Sequence, residues 1–191
     1  MRVFIIVLVL IFSFQSWTKA DDIRDFEIEG ISIGDSALDY FTKKQLNNAM
    51  EILNYKNNRY RYYFLNYSKS KTYEGIQITV KPEDKNFIIY GIDGHISYSK
   101  NIKDCYKKMD VVKKEVDEVL DFKGKKESSK HPTDKTGNSK YTRIFYQLSN
   151  GSAEIICYDM SKKMEKKGKI DRFAITLDTK ELKEFLTYKA Y

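Results

Sequence analysis

The stretch at residues 102–120, IKDCYKKMDVVKKEVDEVL, limits most strongly what this chain can build. Cys105, Met109, Val112, Val116 and Val119, joined by Leu120, recur at intervals of four, three, four and three. That spacing makes one stripe of a helix apolar and leaves lysines and acids on a solvated face. Such a stripe has to be laid on another layer, and the rest of the chain offers strands. In YEGIQITVKP, Ile76, Ile78 and Val80 alternate with polar residues, the period of a strand with one face buried. NFIIYGIDGHISYS reads as another strand with a bend, bulge or turn at GIDG. YTRIFYQLSNGSAEIICYDM reads as a hairpin about Asn150-Gly151. GKIDRFAITL adds a strand with Ile170, Phe173, Ile175 and Leu177 as its apolar candidates.

Shorter helical signals flank these runs. Asp35 or Ser36, and then Thr42, can cap helix starts, so residues 35–53 read as two short helices or one broken helix, with Leu46, Ala49 and Met50 at helical spacing. Asp178 or Thr179 opens a final helix through Leu182, Phe185 and Leu186. KGKKESSKHPTDKTGNSK, with six lysines and almost no apolar residue, reads as a mobile loop at 123–140 that carries His131 beside Pro132. The order helix, polar connection, hairpin, third strand occurs twice. The expected fold is α+β: two similar units in tandem, each a helix or helix pair with a three-stranded antiparallel sheet, at 21–100 and 101–191, packed as one body.

GISIGDSALDYF, at residues 30–41, resembles the opening of the outer-membrane assembly lipoproteins of the SmpA/OmlA type, where G-x-S-x-G-x-S precedes the first helix. A tandem copy of that two-helix, three-strand unit is similar to the secreted β-lactamase inhibitor protein. The resemblance implies a fold. The lipid-attachment cysteine is missing, so anchoring does not transfer, and neither does inhibition, for want of a matching contact motif.

The chain opens MRVFIIVLVLIFSFQSWTKADD. Arg2, an apolar run from Val3 to Phe14, and Thr18 and Ala20 placed for a cut after Ala20 together read as a secretory signal peptide at 1–20. Twelve residues of helix reach only about 18 Å, short of the roughly 30 Å of a bilayer core, so no stable membrane insertion is expected after its removal. The destination is the periplasm or the outside of the cell. There an even cysteine count reads as a disulfide between Cys105 and Cys157. Loss of Arg2 and Lys19 from 34 basic residues leaves 32 against 27 acidic ones, an excess too small and too dispersed for nucleic-acid binding.

Chemistry is sparse. Two separated histidines do not make a zinc site, and no nucleophile elbow or phosphate loop appears. No metal, cofactor or catalytic residue is assigned. The strongest candidate for function is NNRYRYYFLNYS, at residues 57–68. If Tyr60, Tyr62 and Phe64 pack inward, Arg59, Arg61, Tyr63 and Tyr67 mark an exposed sheet face on which tyrosines supply rigid contact area and arginines hold anionic or aromatic groups. The expected function is non-enzymatic binding of an unknown protein or envelope component. One rival is a small hydrolase of envelope polymers with Asp93 and Asp159 as acid and base, which needs their carboxyl groups within roughly 10 Å. Another is attraction of the lysine-rich 123–140 segment to an anionic surface.

Overall fold

The computed structural model describes residues 21–54, 58–65, 67, 70–99 and 101–189. The leader at 1–20 lies outside them. The chain enters through a 3-10 turn at Ile23–Asp25, where the Asp22 carboxylate accepts from the Arg24 backbone. A two-residue hairpin follows, β1 (Glu27–Ile28) and β2 (Ile31–Ser32). Ser36 caps a 3-10 turn at Ala37–Asp39, and Thr42 caps α1 (Lys43–Asn48) in a capping box with Gln45. The helix stops there: β3 (Met50–Asn54) is a strand. The helical reading of residues 49–53 is therefore corrected. MEIL is too short for its spacing to tell helix from strand, and pairing with the next strand decides it.

That next strand is β4 (Arg61–Leu65), followed by β5 (Gly75–Val80) and β6 (Gly91–Ser97). GIDG does not interrupt β6. Gly91 and Gly94 are there for close approach, since a Cβ at Gly91 would meet Leu182 Cδ2 at 2.6 Å and one at Gly94 would meet the Tyr73 ring at 2.7 Å. Then comes α2 (Ile102–Leu120), capped by Asn101 and ended by Asp121 in the left-handed region at φ 55°. The second half continues with β7 (Lys125–Lys130), β8 (Lys140–Leu148), β9 (Gly151–Asp159), the single turn α3 (Lys162–Glu165), β10 (Arg172–Thr179) and α4 (Lys180–Tyr188). Thr179 caps α4, its hydroxyl accepting from the Leu182 backbone.

All strands from β3 onward form one antiparallel sheet in the order β3-β4-β5-β6-β10-β9-β8-β7. Each half supplies a four-strand meander, and the halves meet where β6 pairs with β10. The α+β class stands, with four strands per half instead of the expected three. The fourth strands are the edges β3 and β7. The part of the 123–140 segment expected to be a mobile loop is in β7, an almost wholly exposed strand held by its ladder to β8. Lysine-rich edges resist pairing with other chains. The remainder is tied at Asp134, whose carboxylate accepts from Thr136, Ser139 and Ser161.

One sheet face carries the main core. Ile76, Ile78, Val80, Ile92, Phe173, Leu177, Ile144 and Tyr146 bury against Cys105, Met109 and Leu120 of α2 and against Ile28, Ile31, Phe41 and Leu46 of the N-terminal segment. Burial of each large apolar side chain is worth about 1.5–3 kcal/mol before entropy. The Cys105–Cys157 disulfide bolts α2 to β9, and Tyr146 donates to Asp117 of α2 at 2.8 Å. The opposite, outer face is covered at one end by α4, where Tyr60, Tyr62, Leu182 and Phe185 form a second small core. No helix among the described residues is long and apolar enough to cross a membrane.

Candidate binding face

The arginine- and tyrosine-rich stretch does not form the expected open surface. Arg59 turns to α4, pairing with Glu181 at 2.9 Å and lying over the Tyr60 and Phe185 rings. Arg61 faces the other way, opposite the buried Val80, and is half-buried. Tyr63 packs against the main core, and Tyr67 sits edge-on to Phe41 at 5.4 Å. Tyr60 and Tyr62 do bury on a helix, α4. The odd face is not left open, because the main core occupies that side.

The expected acid pair fails on register. Asp93 lies opposite Thr176, and Thr176 opposite Glu154, on the outer face. Asp159 shares its side with Cys157, whose disulfide reaches α2 on the other face. Alternation keeps the two carboxylates apart, so the acid–base pair Asp93 and Asp159 is withdrawn.

Cross-strand register arranges the outer face as four parallel rows. The first, Thr79, Gly91, Asp178, Ser152 and Gln147, runs beneath α4. The second is Gln77, Asp93, Thr176, Glu154, Phe145 and Lys125. Here Asp93 is 9% exposed and Glu154 3%. Thr176 donates to Asp93, while Glu154 holds Lys183 of α4 and, at 3.2 Å, Arg143. Arg143 in turn reaches Glu127 at 2.9 Å. Burial pushes the Asp93 carboxyl up to about 6. Burial and the neighbouring Asp93 charge push Asp178 well above the usual carboxylate range. These acids are closed in by α4 and its lysine, so their role is to dock that helix.

The third row is Gly75, His95, Ala174, Ile156, Arg143 and Glu127, and the fourth is Ser97, Arg172, Tyr158, Tyr141 and Ser129. This end of the face is different. Tyr141, Tyr158 and Arg172 are all partly exposed. The Arg172 guanidinium lies 4.7 Å from the Tyr158 ring centroid. Tyr141 and His131 stand 6.4 and 5.7 Å from the same ring. Arg172 forms no ion pair among the described residues, and its Nε is buried with no hydrogen-bond partner among them. Both ring nitrogens of His95, diagonal to Arg172 across the strands, are in the same state. Burial and the Arg172 charge push the His95 imidazole down to about 3, and burial likewise lowers His131. Both rings are therefore neutral at neutral pH, leaving Arg172 as the charge of the patch.

The sequence reading puts His131 in a mobile loop and gives Arg172 no role. A signal existed. Asp93, His95, Glu154 and Arg172 share one parity within strands whose other parity is apolar. No protein-family model, curated protein or solved structure matches this chain.

Proposed function

We propose that this chain is an exported, non-enzymatic interaction protein whose contact surface is the open end of the outer sheet face, around Arg172, Tyr158, Tyr141, His131 and His95. The reading keeps the expected function, binding of a protein or envelope component through a sheet face, and moves it to the other face and the other half. One observation carries it. A guanidinium over a tyrosine ring, with no ion pair among the described residues and its own Nε buried without a partner among them, sits diagonal to a histidine whose two buried ring nitrogens are in the same state. An unsatisfied buried polar group costs about 1–3 kcal/mol, and a ligand that pairs it recovers that cost. Export is supported by the signal-like leader and by the disulfide, which persists in oxidising compartments. The tandem resemblance to the assembly-lipoprotein unit agrees with the matched strand order of the halves and remains a proposal.

The test is site-specific photo-crosslinking in native cells, with a photoreactive phenylalanine analogue at Tyr141, at Tyr67 or at Val119. The reading expects a discrete adduct from position 141 alone. Adducts from position 67 or 119 with none from 141 would reject this face.

A further inference from the structure

Resting on the contact face proposed above, we propose that its occupant is an extended acidic segment of a protein, one carboxylate pairing with Arg172 and adjacent side chains lying across Tyr158 and Tyr141. The argument begins with charge. Around this end of the face, Arg172 is joined by the exposed Lys169, whose charge acts with that of Arg172 on His131 and which forms no ion pair among the described residues. Lys130 and Lys140 fall in the next row with Asp159, whose side chains alternate to the α2 side of the sheet, so they add no charge to this patch. Four carboxylates around it are already engaged. Asp134 serves Thr136, Ser139 and Ser161, Asp171 accepts from the Met160 backbone at 2.6 Å, Glu127 holds Lys125 and Arg143, and Glu154 holds Arg143 and Lys183. Arg172 feels the buried Asp93 only at a distance and forms no ion pair among the described residues.

Shape points to a polymer. The fourth row crosses five strands, roughly 19 Å at about 4.8 Å per strand, which an extended segment of about six residues spans. A lone small anion would use Arg172 and leave the rings idle. A membrane would engage the exposed lysines, with the recessed Tyr158 ring out of reach. A guanidinium is a planar fork of donors, which suits a carboxylate.

The full chain after leader removal, labelled with nitrogen-15, is titrated with a capped hexapeptide alternating Glu and Phe. Comparators are the same peptide with Gln for Glu, inorganic phosphate, and phosphatidylglycerol vesicles. The readouts are the Arg172 Nε–H cross-peak and the amides of Tyr141 and Tyr158. The expected result is a saturable shift of all three with the Glu peptide. Affinity for the Gln peptide falls about tenfold or more, the scale of one charge-assisted hydrogen bond. Arg172→Gln abolishes binding while leaving the remaining spectrum in place, and Arg172→Lys, which keeps the charge and loses the fork, recovers only part. Equal binding of the Gln peptide, undiminished binding by Arg172→Gln, or a phosphate shift the peptide does not exceed would overturn the acidic segment. Vesicle-induced shifts at Lys169 without a peptide response would assign a membrane surface and overturn it equally. A partner crosslinked at position 141 but no response to the Glu peptide leaves the face standing and removes this occupant. Absence of both removes both.

Discussion

Replacing Asp93 with Asn tests whether the second-row carboxylates are structural. Asp93 is buried, and burial raises its carboxyl from 3.8 to about 6. A folded-state value above the unfolded one means that the native protein binds this proton more tightly. The corresponding stability is complete below about pH 3.8 and is lost as pH rises through about 6. At 1.36 kcal/mol per pH unit, the loss approaches about 3 kcal/mol by pH 7.5. Asn is neutral at every pH and keeps an oxygen for Thr176, so the variant avoids that loss. Urea unfolding followed by circular dichroism at half-unit steps from pH 4 to 8 gives the difference in stability. Carboxylates held low by partners, such as Glu127 with Lys125 and Arg143 at about 2, lose stability toward acid, but they do so in both proteins and cancel. The expectation is near equality at pH 4, and a variant more stable by about 2–3 kcal/mol at pH 7.5. A difference that does not change with pH would refute a raised Asp93 carboxyl.

Other perturbations read other joints of the fold. Cys105→Ala with Cys157→Ala opens a bridge spanning 52 residues, worth about 4 kcal/mol in chain entropy, and denaturant titration should show that loss. Glu154→Gln strips Lys183 and Arg143 of their shared anion. It should destabilise by about 3 kcal/mol and speed amide exchange in α4 more than in α2. Gly91→Ala drives a methyl into Leu182 and Asp178, costing about 1–3 kcal/mol by overpacking, with Tyr60 becoming more accessible to radical oxidation.

Much of the fold was legible because burial wrote it into the sequence. The stripe of α2 apart from Val119, which is 57% exposed, the Cys105–Cys157 pair, the Asn150-Gly151 hairpin and the Thr179-capped final helix all appear as read. The edges were not legible. β7 buries no side chain and is held by backbone pairing and polar contacts such as Arg143 with Glu127 and Ser128 with Thr142, which leaves no apolar pattern in KKESSK. Period two in RYRYYFL sorted its residues into two faces, but it carries no information on which face a distant helix covers. Here the main core covers one, and α4 covers Tyr60 and Tyr62 of the other while Phe64 stays exposed. Asp93 reads as a turn former because GIDG looks like a turn, and it became a mid-strand acid because the glycines serve close packing. The outer patch joins β6, β8, β9, β10 and the His131 loop, a convergence set by register between segments far apart in the chain.

Hydroxyl-radical footprinting of the protein alone and with its crosslink-identified partner tests the central claim most directly. The account predicts that Tyr141, Tyr158 and His131 become protected, while the exposed Phe122 and Tyr188 and the core-packed Tyr63 keep their rates. Protection of Phe122 or Tyr188, with Tyr141 and Tyr158 unchanged, would contradict it.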